Sequence, residues 1–200
     1  MRSRRIAAQV ERQVKGLGDG AVFTPKDFLD LGSRAAIDQT LSRLSRRGVI
    51  RRLARGLYYV PRRDPVFGLR APVADAVAGA LARKTGSVIQ VTGAQAANQL
   101  GWSEHVPAQS VYLTNGARRS VRIGRRVIAL RPASPKNLIA PGTKVGSVVQ
   151  AFRFMGPDAS ESLIGAARAV LSRRERQVLA REAARAADWL RPMLRRVAEP

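Results

Sequence analysis

From Arg43 to Arg63 the chain carries eight arginines and no acid. A guanidinium presents its donors in a planar fork that matches phosphate oxygens and the major-groove edge of guanine, so such a run suits a polyanion. Ser33, Arg34, Gln39, Ser42, Arg43, Arg46 and Arg47 fall on or beside one predicted helix. Arg51, Arg52, Arg55 and Tyr58 fall on a predicted two-stranded ribbon that turns at Ala54-Arg55-Gly56. On a helical wheel, the side opposite Ile37, Leu41 and Leu44 shows Ala35, Gln39, Ser42, Arg43 and Arg46. These are small residues and donors that reach base edges or phosphates. Tyr58 and Tyr59 alternate across the strand, so one packs inward and the other faces solvent or a backbone. A second set, Arg118, Arg119, Arg122, Arg125 and Arg126, surrounds a predicted hairpin. It reads as a nucleic-acid surface, a partner surface, or a solvated sheet face whose charge protects an edge.

Other chemistries are short of residues. There are no cysteines and one histidine, which excludes disulfides, Cys-ligated metals, thiol catalysis and two-His metal sites. The 14 acids are scattered, without the carboxylate cluster that Mg²⁺-dependent phosphoryl chemistry needs. Pro-Gly-Thr-Lys at 141–144 lacks the phosphate-loop spacing and reads as a turn. His105 reads as a surface loop residue, and Trp102 and Trp189 as core anchors. No catalytic residue, metal or cofactor is expected.

The elements that position the arginines follow from periodicity and caps. Ile6, Val10 and Val14 mark a helix over 3–15, ended by Gly16, Gly18 and Gly20. Thr24-Pro25 opens a short helix with Asp27 in its first turn, and Gly32 stops it. Ser33 caps the next helix, and Gly48 closes it. Two strands, VIRRL and LYYV, follow. Helix, helix, turn, helix and β-ribbon is the order of a winged helix-turn-helix, expected over residues 1–63. Residues 61–65 read as a linker.

A second domain is expected over 66–200. Helices are predicted at 72–84, 94–100, 145–155 and 160–171, with strands at 87–92, QSVYLT, RRSVRI and RRVIALRP. Asn115-Gly116 suits a type I′ turn, which predicts a hairpin between QSVYLT and RRSVRI in a short antiparallel sheet. Ser172-Arg-Arg-Glu175 is a capping box that opens a basic C-terminal helix. Leu179, Ala183, Ala186, Leu190 and Leu194 line one side of that helix, and Pro192 kinks or restarts it. The fold class is α+β.

The whole chain of 200 residues carries 36 Lys and Arg against 14 Asp and Glu, a net charge of +22. That balance points to nucleic acid before an anionic membrane. No apolar run spans a bilayer and no signal peptide opens the chain. The arginine share also fits a GC-rich genome, so the position of the charge says more than its sum. Localisation is expected in the bacterial cytoplasm, at the nucleoid.

Two segments carry a recognisable pattern. They are FTPKDFLDLGSRAAIDQTLSRLSRRGVIRRLARGLYYVP and VTGAQAANQLGWSEHVPAQSVYLTNGARRSVRIGRRVIALRPASPKNL. Over roughly residues 1–170 the chain resembles the AbiEi-type antitoxins of type IV toxin–antitoxin systems. The joint occurrence of T-G-x-x-A-A-N-x-L-G, V-P-A-x-x-V-Y-L-T-N-G and R-P-A-S-P-K carries the likeness. It implies a winged helix that represses its own operon through repeated DNA sites. It also implies an α+β domain that opposes a nucleotidyltransferase-like toxin.

The expectation is a non-enzymatic, sequence-specific regulator of double-stranded DNA, autorepressor and antitoxin. The alternatives are a non-specific DNA- or RNA-coating protein and a protein-neutralising antitoxin whose DNA binding is secondary. Residues 66–200 are expected to contact a toxin partner or to mediate self-association on repeated half-sites.

Overall fold

The computed structural model describes residues 2–157 and 161–199. The chain is mixed α+β and forms two compact units. One holds the residues up to Thr85 together with Val121–Arg125, and the other holds Gly86–Ser120 and the chain from Arg126 onward.

The first unit opens with α1 (Arg2–Gly16), whose four-residue apolar spacing puts Val10 and Val14 in the core. Gly18 and Gly20 reverse the chain at φ +80° and +79°. Strand β1 (Val22–Phe23) leads into a 3-10 helix, Pro25–Phe28. There the Thr24 amide donates to Asp27 Oδ2 at 2.9 Å, while the buried Thr24 hydroxyl has no hydrogen-bond partner. Ser33 Oγ accepts the Ala36 amide at 3.4 Å and starts α2 (Arg34–Arg46). The end of α2 is a Schellman turn. Gly48 N donates to Ser45 O and Val49 N to Leu44 O, with Gly48 at φ +74°.

Strands β2 (Arg51–Ala54) and β3 (Leu57–Tyr59) follow, and the sheet order is β1-β3-β2, antiparallel throughout. A register shift between Arg52 and Ala54 bends β2 just before its turn. Ile37, Leu41 and Leu44 of α2 pack with Val10, Val14, Phe23, Phe28 and Ile50 in one cluster. Phe23 is its hub, edge-on to Phe28 at 5.4 Å and stacked on Tyr58 at 6.2 Å.

The stretch expected as a linker is instead a small hairpin of its own, β4 (Arg62–Asp64) with β5 (Gly68–Arg70). Next comes α3 (Ala74–Thr85), which belongs to the first unit and not to the second. Arg83 donates to Val22 O at 2.8 Å and Lys84 to Arg55 O at 2.9 Å. The division thus falls at 85/86, beyond the 63–66 break read from proline content.

Strands β6 (Ile89–Val91), β7 (Ser110–Thr114), β8 (Arg119–Ile123) and β9 (Arg126–Pro132) form a sheet in the order β6-β7-β9-β8. Val121–Ile123 of the edge strand β8 fall with the first unit, while the rest of the sheet belongs to the second. Strand β6 pairs antiparallel with β7, but β7 pairs parallel with β9. This corrects two expectations. The sheet is mixed rather than antiparallel, and β7 and β8 do not form a hairpin because β9 lies between them. Asn115 and Gly116 are not at the positive φ that a type I′ turn requires. Asn115 Oδ1 instead accepts the Val88 amide at 2.9 Å, and Thr114 Oγ1 accepts the Gly116 amide at 3.0 Å. The hairpin turn is at Gly124, φ +57°, between β8 and β9.

The helices of the second unit are α4 (Gly93–Gln99), α5 (Lys144–Met155), α6 (Glu161–Val170), α7 (Arg173–Glu182) and α8 (Arg191–Ala198). The predicted start of α6 at residue 160 lies outside the described residues. Thr143 of the Pro-Gly-Thr-Lys turn caps α5 by accepting the Gly146 amide at 3.2 Å. The Ser172–Glu175 capping box is formed, with Glu175 Oε2 accepting the Ser172 amide at 2.8 Å.

The single C-terminal helix is broken. After α7 a 3-10 turn, Ala183–Arg185, ends at an extended Ala186, and Pro192 sits in the first turn of α8. A proline there lacks only an amide that would be unpaired anyway, so restarting the helix costs less than kinking it. Leu179, Ala183, Ala186, Leu190 and Leu194 are all buried in one cluster with Phe152 and Ile139. Trp102 packs edge-on against Phe152 at 5.2 Å, whereas Trp189 is 41% exposed and is not a core anchor.

Candidate nucleic-acid interface

The candidate surface is built by α2 and the β2–β3 turn. Burying Ile37, Leu41 and Leu44 rotates the opposite side of α2 to solvent. Ser33, Arg34, Gln39, Ser42, Arg43, Arg46 and Arg47 are all exposed there. Thr40, the buried polar residue on this helix, donates its hydroxyl to Ala36 O at 2.8 Å and so needs no outside partner. Arg43 Nη2 donates to Thr40 Oγ1 at 3.4 Å, which draws this guanidinium along the helix surface.

Arg51, Arg52 and Arg55 are exposed on the two-stranded turn. Gly56 holds φ +66° at its tip. The Arg55 carbonyl is fixed from below by Lys84, and Arg52 Nε donates to Ala54 O at 3.3 Å. The turn is therefore held by its own strand and by α3.

Tyr58 does not belong to this surface. It is 8% exposed and stacked on Phe23, so its ring is core. Tyr59, half-buried, is the tyrosine on the other side of β3.

Two of the arginines are already neutralised. Arg47 donates from both Nη atoms to the Glu11 carboxylate at 3.1 and 3.3 Å, and Lys15 joins that carboxylate at 3.2 Å. Arg34 Nε donates to Asp38 Oδ2 at 2.8 Å, one helical turn away. Among the described residues no acid pairs with Arg43, Arg46, Arg51, Arg52 or Arg55. Seven of the eight arginines in the acid-free run have no acid partner among the described residues, and five of these lie on α2 and the turn that follows it.

Three residues that shape this surface lie outside the acid-free run. Asp38 was legible from its i,i+4 spacing to Arg34. Glu11 and Lys84 act across the fold, and no local signal marks them.

The side-chain bonds from Arg47 and Lys15 hold the Glu11 carboxyl below its ordinary value. A lowered carboxyl stabilises the fold above the unfolded pKa and loses that contribution as pH falls through the folded value. Arg47 is 60% exposed, so the pair is worth no more than about 1 kcal/mol. The expected result is that Glu11→Gln lowers the urea midpoint slightly at pH 7 and that the difference shrinks as pH falls below the ordinary carboxylate range. A difference between the two proteins that stays constant as pH falls would show another role for Glu11.

The second basic set, Arg118, Arg119, Arg122, Arg125 and Arg126, is exposed along β8 and its turn, at the edge of the mixed sheet. His105 is exposed in its loop, near Phe154 at 6.4 Å. Among the described residues no group of three His, Cys, Asp or Glu is placed to hold a metal. No described helix is long and apolar enough to cross a membrane.

Comparison with known proteins gives two findings. The crystal structure of the RV2827C protein from Mycobacterium tuberculosis shares 15% identity over 100% of this chain and 78% of its own, with a TM-score of 0.41. That likeness is too low to carry an argument. No curated protein matches the chain. The model of a family of unknown function, DUF6088, matches residues 9–179, and the chain belongs to that family.

Proposed function

We propose that the first unit is a winged helix-turn-helix that binds double-stranded DNA, with α2 in the major groove and the β2–β3 turn as the wing. One observation carries the reading. The solvent side of α2 and the adjoining turn present five arginines with no acid partner, on a scaffold whose strand order is β1-β3-β2. An α-helix with its side chains is about 10–12 Å across, which suits a groove about 12 Å wide, and the thirteen residues of α2 run about 20 Å along it.

In this reading Gln39, Ser42 and Arg43 meet base edges. Arg46, Arg51, Arg52 and Arg55 meet phosphates, and Arg47 positions α2 through Glu11. The protein then acts as a transcriptional regulator, with the arginines supplying affinity and the helix supplying sequence preference.

The test is a panel of duplexes recovered by selection from a random pool. Arg43→Ala and Gln39→Ala are expected to cost about 1–3 kcal/mol at single base positions and to relax preference there. Arg52→Ala is expected to weaken every duplex alike. If all three substitutions weaken all duplexes equally, α2 does not read bases. In that case the protein coats DNA without preference.

A further inference from the structure

The hairpin β4–β5 is the least explained part of the first unit. Its strands pair Arg62 with Arg70, Arg63 with Leu69 and Asp64 with Gly68, and they join no other sheet. A two-stranded ribbon this short is marginal in water, and this one puts apolar side chains at its end. Val66 is 81% exposed and Phe67 is 70% exposed, with Pro65 exposed beside them.

The tip is nevertheless built. Asp64 Oδ1 accepts the amides of both Val66 and Phe67 at 3.0 Å. Gly68 supplies φ +69°, and the Arg70 guanidinium lies over the Phe67 ring at 5.0 Å. Asp64 is the one acid in the hairpin. Its Oδ1 is spent on these bonds and its Oδ2 lies 4.0 Å from Arg70 Nε. Among the described residues Arg62 and Arg63 stay without an acid partner, so the surface is apolar at the tip and cationic behind it.

A partner must therefore offer anions on the outside and a flat apolar interior. Stacked base pairs beneath a phosphate backbone have that arrangement. The apolar tip is Pro65, Val66 and Phe67, with Leu69 41% exposed behind it on β5, and the tip itself is the size of a single base step. The ribbon also starts just past β3, with only Val60 and Pro61 between, so it follows the proposed wing directly along the chain.

We propose that the β4–β5 ribbon is a DNA arm. It enters the minor groove, wedges Phe67 against a base step and kinks the duplex, with Arg62, Arg63 and Arg70 on the flanking phosphates. This rests on the DNA-binding reading above. Apolar wedges flanked by arginine are a general means of bending DNA, and unstacking is cheapest at flexible pyrimidine–purine steps. The Arg70–Phe67 contact then has a role before binding. It covers one face of the ring and is exchanged for a phosphate contact when the ring inserts.

The experiment uses the full chain and end-labelled 30-base-pair duplexes recovered by selection from a random pool, read by energy transfer between the ends. Wild type should shorten the end-to-end distance at saturation. Phe67→Ala should abolish that shortening and weaken binding about tenfold, while Phe67→Leu should keep most of the bend. Phe67 is exposed, so neither change threatens folding. Arg43→Ala should weaken binding yet leave the bend of the saturated complex intact.

Equal bending and affinity in Phe67→Ala would overturn the arm and leave the DNA-binding reading standing. No duplex bound by wild type would overturn both. Vesicles of phosphatidylglycerol and phosphatidylcholine are the last arm of the test. Flotation that depends on Phe67, without DNA bending, would assign the tip to a lipid surface and overturn the proposal.

Discussion

Raising salt from about 50 to about 200 mM should weaken duplex binding at least about 150-fold. The number comes from the charge that the fold leaves free. Each phosphate neutralised by a cation contributes about 0.9 to the log–log slope. Arg46, Arg51, Arg52 and Arg55, the arginines of α2 and its turn that meet phosphates, therefore give a slope of about −3.6 before any contribution from the β4–β5 arm. Counting every arginine in and beside the acid-free run would give a steeper line. Arg34 and Arg47 are excluded because Asp38 and Glu11 already hold them. Arg51→Ala or Arg55→Ala should reduce the slope by about 0.9 each. Arg34→Ala and Arg47→Ala should leave it nearly unchanged. An anisotropy titration across salt measures all of these. Binding that ignores salt would end the electrostatic account.

The largest expected effect on stability is in the second unit. Gly146 lies in the first turn of α5, where its amide meets the Thr143 cap. A Cβ at this position would sit 2.4 Å from Ala140 O, 2.4 Å from Gln90 Oε1 and 2.9 Å from Ile139 O. Two of those atoms are backbone. The third belongs to a side chain only 2% exposed whose Oε1 already accepts the Gly142 amide at 2.9 Å. Nothing there moves cheaply, so Gly146→Ala should cost about 3 kcal/mol, at the upper end of overpacking. That corresponds to a fall of about 10 °C in the melting temperature of this unit, read by calorimetry. The control is Gly165→Ala, in α6, where nothing lies within 4 Å. It should leave the melting temperature unchanged or raise it, because alanine is the better helix former. Equal melting of both variants would mean that the loop before α5 yields.

The first unit was largely readable from its sequence because its signals are local. Ser33 and Gly48 bound α2, Ile37, Leu41 and Leu44 orient it, and Ala54-Arg55-Gly56 turns the ribbon. All of these act within a few residues. Where the reading failed, the deciding contact is distant. Whether Tyr58 or Tyr59 faces the core depends on Phe23, some thirty-five residues upstream. The extent of the first unit depends on Arg83 and Lys84 reaching back to Val22 and Arg55. Among the eleven candidate contact residues, the ion pairs of Arg34 and Arg47 set those two apart, and the Arg47 pair joins residues 36 positions apart, beyond any local signal. Asn115-Gly116 was misread because turn chemistry reports what two strands prefer and not which strand lies between them.

The arrangement of β9 between β7 and β8 also orders events in time. As the chain leaves the ribosome, β7 and β8 appear together, joined by residues 115–118, and β9 is still to come. Closing β7 on β8 through Asn-Gly is then the quickest pairing open to them, since short loops close fastest. That pairing is incompatible with the final sheet, which places the two strands two spacings apart, about 9.5 Å. Strand β9 displaces it by folding back on β8 at Gly124 and presenting its other edge to β7. A β7–β8 hairpin is therefore the pairing that the final sheet excludes, and the sheet cannot be completed until Pro132, the last residue of β9, has emerged.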